Sequence, residues 1–197
     1  IVTTAPLLTA FIANFTLKNE PLKRHTFLGS IIALGGVFLI VFNGNFILQL
    51  NPAGDLLSFF SALSWAIYSI LIKKISHQYP VLFTTRRVFF YSILTLLPWF
   101  CYEPLPLDFS ILLQKEVIFN LLFLSLIASS LCFYIWNIII KNLGAVHTNN
   151  YIYFISIVTL FVSWLVLDEK ITAYALLGAV LILSGVYLAE RKTNKIK

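Results

Sequence analysis

The sequence predicts an all-α integral membrane protein, and three observations support this class. Of the 197 residues, 59% are hydrophobic and 11% are charged, whereas a soluble domain carries about 25% charged residues. The apolar residues form runs close to the length of about 20 residues that crosses a bilayer as a helix. These runs do not alternate between polar and apolar residues, as the strands of a membrane barrel do. A water-facing surface cannot be built from so few polar side chains.

Seven apolar segments are expected to form transmembrane helices. Their approximate bounds are 1–17, 27–48, 56–75, 83–102, 117–140, 149–167 and 171–189. The links between them are short and contain turn residues, such as Asn43-Gly44 and Asn51-Pro52 before the third helix. Asp55 follows these turn signals and is the expected N-cap of that helix.

The basic residues predict the orientation of the chain in the membrane. If the C-terminus is cytoplasmic, 12 of the 14 Lys and Arg residues fall on the inner side, and only Lys115 and Lys170 fall outside. Cytoplasmic loops of membrane proteins carry such an excess of positive charge. The same asymmetry supports an odd number of spans.

The residues give no support for an enzyme, a metal site or a nucleic-acid site. The sequence holds no nucleophile–His–acid set, no His-Glu metal motif and no phosphate-binding glycine loop. His25, His77 and His147 are expected to be separate, solvated loop residues, and Cys101 and Cys132 small apolar residues within helices. The net charge of +6 comes from short clusters between apolar runs, a pattern of membrane topology rather than of nucleic-acid binding. We therefore predict no cofactor.

Two parts of the chain resemble each other at a constant offset of 149 residues. The most informative aligned pairs are Glu20 with Glu169, Gly29 with Gly178, and Gly36 with Gly185. In each copy the two glycines are seven residues apart and share one helix face, where small residues let membrane helices approach closely. We assign these four glycines to helix packing.

A charged turn lies between two helices in each copy. On the orientation above, the turn at Glu20 faces the cytoplasm and the turn at Asp168 and Glu169 faces outside, so the copies are inverted. Inverted repeats are typical of secondary transporters. Asp168 or Glu169 is also expected to cap the last helix at its positive N-terminal end.

Four stretches of the chain carry a recognisable pattern in their order and spacing. They are "APLLTAFIANFTLKNEPLKRHTFLGSIIALGGVFLIV" (5–41), "AGDLLSFFSALSWAIYSILIKK" (53–74), "ASSLCFYIWNIIIKNLGA" (128–145) and "LDEKITAYALLGAVLILSGVYLAER" (167–191). With these stretches the chain resembles the EamA-type transporters of the drug/metabolite transporter superfamily, over nearly its whole length.

The resemblance implies a ten-helix inverted-repeat transporter fold, of which this chain is the C-terminal part. Residues 1–48 would form the last two helices of the first EamA repeat, 49–191 the complete five-helix second repeat, and 192–197 a basic cytoplasmic tail. Three N-terminal helices of the same protein are then expected to precede the chain. Pro6 matches the family's proline in the first repeat, but Ile155 stands at the second position, so the second copy is expected to be straighter.

Candidates for a substrate cavity are uncharged polar and aromatic residues on three of the predicted helices. The full set is Ser64, Trp65, Tyr68, Ser130, Tyr134, Trp136, Asn137, Asn150, Tyr151 and Tyr153. Such faces bind amphipathic solutes through stacking and hydrogen bonds, and interhelical packing is the alternative role. Arg86 and Arg87 are interpreted as interfacial anchors rather than as the entrance to a pocket.

These observations favour a carrier of the bacterial inner (plasma) membrane that exports or exchanges small organic metabolites or drugs by alternating access. No charged residue stands clearly at the centre of a predicted helix, which argues against proton coupling in this portion and against phosphorylated substrates. A lipid-carrier flippase or an accessory membrane subunit is the alternative. The expected partners are the solute, the bilayer, the preceding helices and, as a candidate, a second copy of the chain in a homodimer.

Overall fold

The fold is built from helices throughout the part of the chain that the structure describes. This computed structural model describes residues 2–17, 23–42, 51–102, 109–168 and 171–191, and it contains no β-strand in these ranges. The α-helices there are α1 Ala5–Thr16, α2 Arg24–Phe42, α3 Pro52–Ile75, α4 Val81–Tyr102, α5 Phe109–Leu112, α6 Lys115–Leu122, α7 Cys132–Leu143, α8 Ala145–Asn150, α9 Phe154–Leu167 and α10 Ala173–Glu190. Short 3-10 turns lie at Val2–Thr4 and Tyr151–Tyr153, and a π-helix at Phe123–Leu131 joins α6 to α7.

Within the described ranges, six helical stretches are long and apolar enough to cross a bilayer. They are Arg24–Val41, Pro52–Ile75, Val81–Phe100, Lys115–Leu143, Ala145–Leu167 and Ala173–Glu190, and α1 is a shorter apolar helix of 12 residues. Large apolar side chains are exposed along them, among them Val41, Leu57 and Leu165. Such an exterior suits lipid rather than water. The predicted all-α membrane class is therefore confirmed.

Helix α3 begins earlier than expected, and Asp55 is not its N-cap. The Gly54 N–H donates to the Asn51 side-chain oxygen at 3.2 Å, and the Asp55 N–H donates to the Asn51 carbonyl at 2.8 Å. Asn51 is thus the capping residue, and Pro52 occupies the first helical position, where its missing N–H removes no helical hydrogen bond. Asp55 lies within the first turn, where its negative charge favours the helix dipole.

The turn before α10 also differs from the expectation. Asp168 adopts a left-handed conformation with φ of 52° and ends α9, and its N–H donates to the Ser163 carbonyl. The N-cap of α10 is Thr172, whose side chain accepts a hydrogen bond from the Ala175 N–H at 3.2 Å. The prediction that Asp168 caps α10 is wrong, because four residues separate it from the first helical position. Glu20 and Glu169 lie outside the described residues.

Two compact units make up the chain, and they are described separately below. Unit 1 comprises the described parts of 1–71 and 143–197, and unit 2 comprises those of 72–142. Unit 1 thus holds α1, α2, most of α3, and α8 to α10. Unit 2 holds α4 to α6, the π-helix and nearly all of α7.

Helices α2 and α10 form the main helix contact of unit 1. They run antiparallel, because Gly29 lies against Gly185 while Gly36 lies against Gly178. A Cβ atom added at Gly36 would be 2.5 Å from the Gly178 carbonyl oxygen, and one at Gly178 would be 2.5 Å from the Gly36 carbonyl oxygen. The two backbones therefore touch directly, which only glycine permits. The four glycines that the sequence analysis assigned to packing all lie at this contact.

The remaining unit 1 core fills the space beside these glycines. Ala33, Val37, Ile182 and Val186 are buried there together with Tyr153. Four of these five side chains come from the same faces of α2 and α10 as the glycines, so one stripe on each helix provides both the close approach and the apolar packing.

The same order of elements occurs at both ends of unit 1. Moved by 149 residues, the 3-10 turn Val2–Thr4 falls on Tyr151–Tyr153, and α1 begins at the start of α9. The same shift places the start of α2 on the start of α10. The turn at Tyr151–Tyr153 ends two residues before Ile155, and the turn at Val2–Thr4 ends two residues before Pro6. Both copies therefore begin with a 3-10 turn, and the straighter second copy stays a prediction.

Candidate functional site

A cavity of about 580 Å³ lies in unit 2 between α4 and the span that contains the π-helix. Its lining residues are Pro80, Leu82, Phe83, Thr85, Arg86, Phe89, Ser130 and Tyr134. Ser130 and Tyr134 were predicted as cavity residues from their helical spacing, and both line it. The volume lies within the range of about 300–1,000 Å³ that is usual for small-molecule sites.

The π-helix determines where Ser130 stands. Its hydroxyl donates to the Ser125 carbonyl oxygen at 2.8 Å, five residues earlier, which is the spacing of a π turn. The backbone hydrogen bonds of a π-helix span one residue more than those of an α-helix, and such segments are frequently found at functional sites. Tyr134 follows one α-turn later on α7. The sequence analysis did not predict this segment, because a run of Leu, Ser and Ala carries no signal that separates the two helix types.

A buried hydrogen bond connects α4 and α7 beneath the cavity. The Asn137 side-chain amide donates to the Thr85 hydroxyl oxygen at 2.9 Å, and the Thr85 hydroxyl donates to the Val81 carbonyl at 2.9 Å. Asn137 is 1% exposed and Thr85 is 5% exposed. Asn137, a predicted cavity residue, is therefore engaged in holding two helices together and does not line the larger cavity.

Aromatic rings and one arginine line the same cavity, and a second arginine contacts one of these rings from outside the lining. The Phe89 and Phe133 rings meet edge to face with centroids 5.6 Å apart. The Arg86 and Arg87 guanidinium carbons lie 6.0 Å and 5.1 Å from the Phe83 ring centroid, within cation–π range. Arg87 also donates to the Tyr91 hydroxyl at 3.4 Å, but only Arg86 lines the cavity. The interpretation of both as anchors missed this difference.

Unit 1 brings together a second group of the predicted residues. The Trp65 indole N–H donates to the Asn149 side-chain oxygen at 2.8 Å, and the Asn149 amide donates to the Ala145 carbonyl at 2.9 Å. Tyr68 lies beside Trp65 with ring centroids 5.5 Å apart, and Ser64 is exposed on the same helix. Trp65 thus joins α3 to α8 through a buried amide.

The other predicted residues occupy three different settings. Tyr153 is fully buried in the core of unit 1. Tyr151 is exposed, stacks on Phe154 with centroids 6.0 Å apart, and lines an apolar cavity of about 520 Å³ along α9. Trp136 is half-buried on α7 in unit 2.

A polar network in unit 1 was missed by the sequence analysis. His147 Nδ1 lies 2.7 Å from Glu190 Oε2, and the Asn150 amide donates to Glu190 Oε1 at 3.0 Å. Ser30 donates in turn to the Asn150 side-chain oxygen at 3.4 Å. The prediction of His147 as a lone solvated residue is wrong, because α8 places it next to the end of α10. The three-residue spacing of His147 and Asn150 was the available signal, since it puts both on one helix face.

Replacing Glu190 tests the contribution of this network to stability. Glu190→Leu removes the acceptor for both His147 and Asn150, so the free energy of unfolding should fall by about 1 kcal/mol, a modest value because the site is partly exposed. Glu190→Gln keeps one acceptor oxygen and should lose less. Thermal unfolding of the full-length protein in detergent measures both, with Tyr187→Phe as a control at a side chain that is 78% exposed. Equal melting temperatures for all variants would contradict a stabilising role of this network.

The helices and the cavity define a multi-pass membrane protein with a pocket of small-molecule size. Residues 52–191 match the EamA-like transporter family. Because the match covers more than half of the chain, the chain belongs to the EamA-like transporter family.

Curated relatives agree with this family. The "Uncharacterized transporter YoaV" of Bacillus subtilis is 26% identical over 192 residues, covering 95% of this chain and 64% of YoaV. The "Uncharacterized transporter YyaM" of the same organism is 29% identical over 94% of this chain and 61% of its own length. A "Probable amino-acid metabolite efflux pump" of Escherichia coli is 26% identical over 91% and 62%. The chain therefore spans less than two thirds of these relatives. No solved structure is significantly similar to it.

Proposed function

We propose that the full-length protein is a secondary transporter, not an enzyme, that exports or exchanges small organic metabolites across the plasma membrane by alternating access. The observation that carries this proposal is the unit 2 cavity, which combines small-molecule volume, aromatic walls and the hydroxyls of Ser130 and Tyr134. Membership of the EamA-like family and a relative named as a probable amino-acid metabolite efflux pump support the same class.

The arrangement of unit 1 supports an inverted-repeat architecture within this proposal. The offset of 149 residues pairs Gly29 with Gly178 and Gly36 with Gly185. The Gly29–Gly185 contact therefore corresponds to the Gly178–Gly36 contact, as it would under a two-fold axis between antiparallel helices. In transporters built from inverted repeats, one repeat rocks against the other around a central solute site. The proposed orientation has a cytoplasmic C-terminus, from the distribution of Lys and Arg.

Filling the cavity tests whether it is the solute site. Ser130→Trp places an indole in the cavity from an exposed position of the π-helix, so it should leave folding intact and lower transport by about tenfold or more. Leu126→Trp is the matched control, because Leu126 lies on the same π-helix, is 60% exposed and does not line the cavity. The measurement is uptake of labelled amino acids, amines and organic acids into vesicles that contain the full-length protein.

Two outcomes would contradict the proposal. Wild-type rates in Ser130→Trp would remove the cavity from the solute path. Movement of labelled lipid by the wild-type protein, without movement of any soluble compound, would favour the flippase alternative over the carrier.

A further inference from the structure

Among the described residues that line the unit 2 cavity, the charge is of one sign only. Arg86 contributes a guanidinium to its lining, and none of the described residues that line it is acidic. Within the described part of the chain, no carboxylate lies within ion-pair distance of Arg86. Arg86 is an exposed residue on α4, so a solute can reach its guanidinium.

The other groups of the cavity match the remainder of an amphipathic anion. Phe83 and Phe89 provide aromatic surface on the same side of α4 as Arg86, since they are three residues away on either side. Ser130 and Tyr134 provide hydroxyls from the facing helix. A guanidinium binds a carboxylate through two parallel N–H donors, which fixes its orientation as well as its charge. Aromatic rings can then stack on the apolar body of the same molecule.

We propose that this cavity binds soluble monocarboxylates with an apolar or aromatic body, and that Arg86 is the residue that binds the carboxylate. The inference rests on the proposed transport function and names its substrate class. A solute ammonium group has no counter-charge among the described lining residues, so the amino group of an amino acid contributes little to binding. A polyanion such as a phosphate ester is disfavoured, because the described residues of the lining include one cation, Arg86, and Arg87 is not among them.

Competition among three related compounds tests the recognised group. The full-length protein is placed in vesicles of phosphatidylcholine alone, so that no anionic lipid supplies a carboxylate or a phosphate monoester. Unlabelled phenylpropanoate and phenylalanine should compete with labelled phenylpropanoate for transport. Phenethylamine, which lacks the carboxylate, should compete at least about tenfold less well. Equal competition by phenethylamine would overturn the proposal.

Substitution of Arg86 tests the residue. Arg86→Gln should raise the KM for phenylpropanoate by about 10-fold to 100-fold, the loss of one charge-assisted contact, and Arg86→Lys should restore part of the affinity. Arg87→Gln is the matched control, because Arg87 carries the same charge next to Arg86 in the sequence but lies outside the cavity lining. This variant should leave the KM for phenylpropanoate unchanged. A KM in Arg86→Gln equal to that of the wild type would overturn the assignment.

Direct binding separates this inference from the transport function. Isothermal titration of the detergent-purified protein with phenylpropanoate needs no transport. Binding that Arg86→Gln abolishes, with no solute moved in vesicles, would support the site and contradict the carrier. Transport without preference for carboxylates would support the carrier and contradict the site, and absence of both would contradict both.

Discussion

Gly36→Val should lower the free energy of unfolding by about 3 kcal/mol, because it forces a side chain into a helix contact that has no room for one. The Cβ atom alone would lie 2.5 Å from the Gly178 carbonyl oxygen and 2.8 Å from the Ile182 backbone nitrogen. Both neighbours are backbone atoms of α10, so the clash is relieved only by moving one helix away from the other. Denaturant unfolding of the full-length protein in mixed micelles measures the change.

The adjacent glycine provides an internal control of opposite sign. A Cβ atom at Gly35 meets nothing within 4 Å, and alanine favours a helix over glycine by about 1 kcal/mol. Gly35→Ala should therefore stabilise the protein slightly, whereas Gly36→Ala should destabilise it. If Gly36→Val does not fold, the two alanine variants still test whether Gly36 lies against α10. An equal stabilising effect from both would contradict the close contact of Gly36 with Gly178.

Thr85→Val should destabilise the protein by about 1–3 kcal/mol, because it leaves the buried Asn137 amide without its acceptor on α4. The substitution keeps the shape of the side chain and removes only the hydroxyl. Asn137→Leu removes the polar group itself and should have the smaller effect, since the Thr85 hydroxyl keeps its hydrogen bond to the Val81 carbonyl.

A double-mutant cycle isolates this pair. If the 2.9 Å bond couples the two side chains, Thr85→Val together with Asn137→Leu should be more stable than Thr85→Val alone. Strict additivity of the two single effects, measured by unfolding in mixed micelles, would show that Asn137 depends on other groups. Asn137 is 1% exposed, so solvent cannot replace the lost acceptor.

Local sequence rules predicted the all-helical class and the shared face of the glycines. The apolar runs predicted seven spans, whereas the described part of the chain holds six helical stretches of spanning length and the shorter α1. The seven-residue spacing of Gly29 and Gly36 indicates that both lie on one helix face, but it does not show that this face meets α10. Helix starts were less predictable, because Asn51 and Asp55 are both good capping residues. The choice between them depends on where Pro52 permits the first turn.

The candidate site was only partly predictable, for a different reason. Ser130 and Tyr134 were found from their spacing, but Arg86 was assigned to the interface because the charge pattern at a helix end does not show which residue of an Arg-Arg pair faces a cavity. The contact of His147 with Glu190 joins residues 43 positions apart, and no local pattern reports such a pair. The π-helix is defined by backbone hydrogen bonds that the composition of the segment does not determine.

The glycine contact of α2 and α10 has a mechanical consequence. Contacts made by long side chains can adjust to a sliding helix through changes of rotamer, and shear motions of packed helices depend on this freedom. At Gly29, Gly36, Gly178 and Gly185 the two helices meet through backbone atoms, which have no rotamers to exchange. Translation of either helix along this contact would press side chains against backbone atoms at two places, so the contact favours movement of α2 and α10 together rather than past one another.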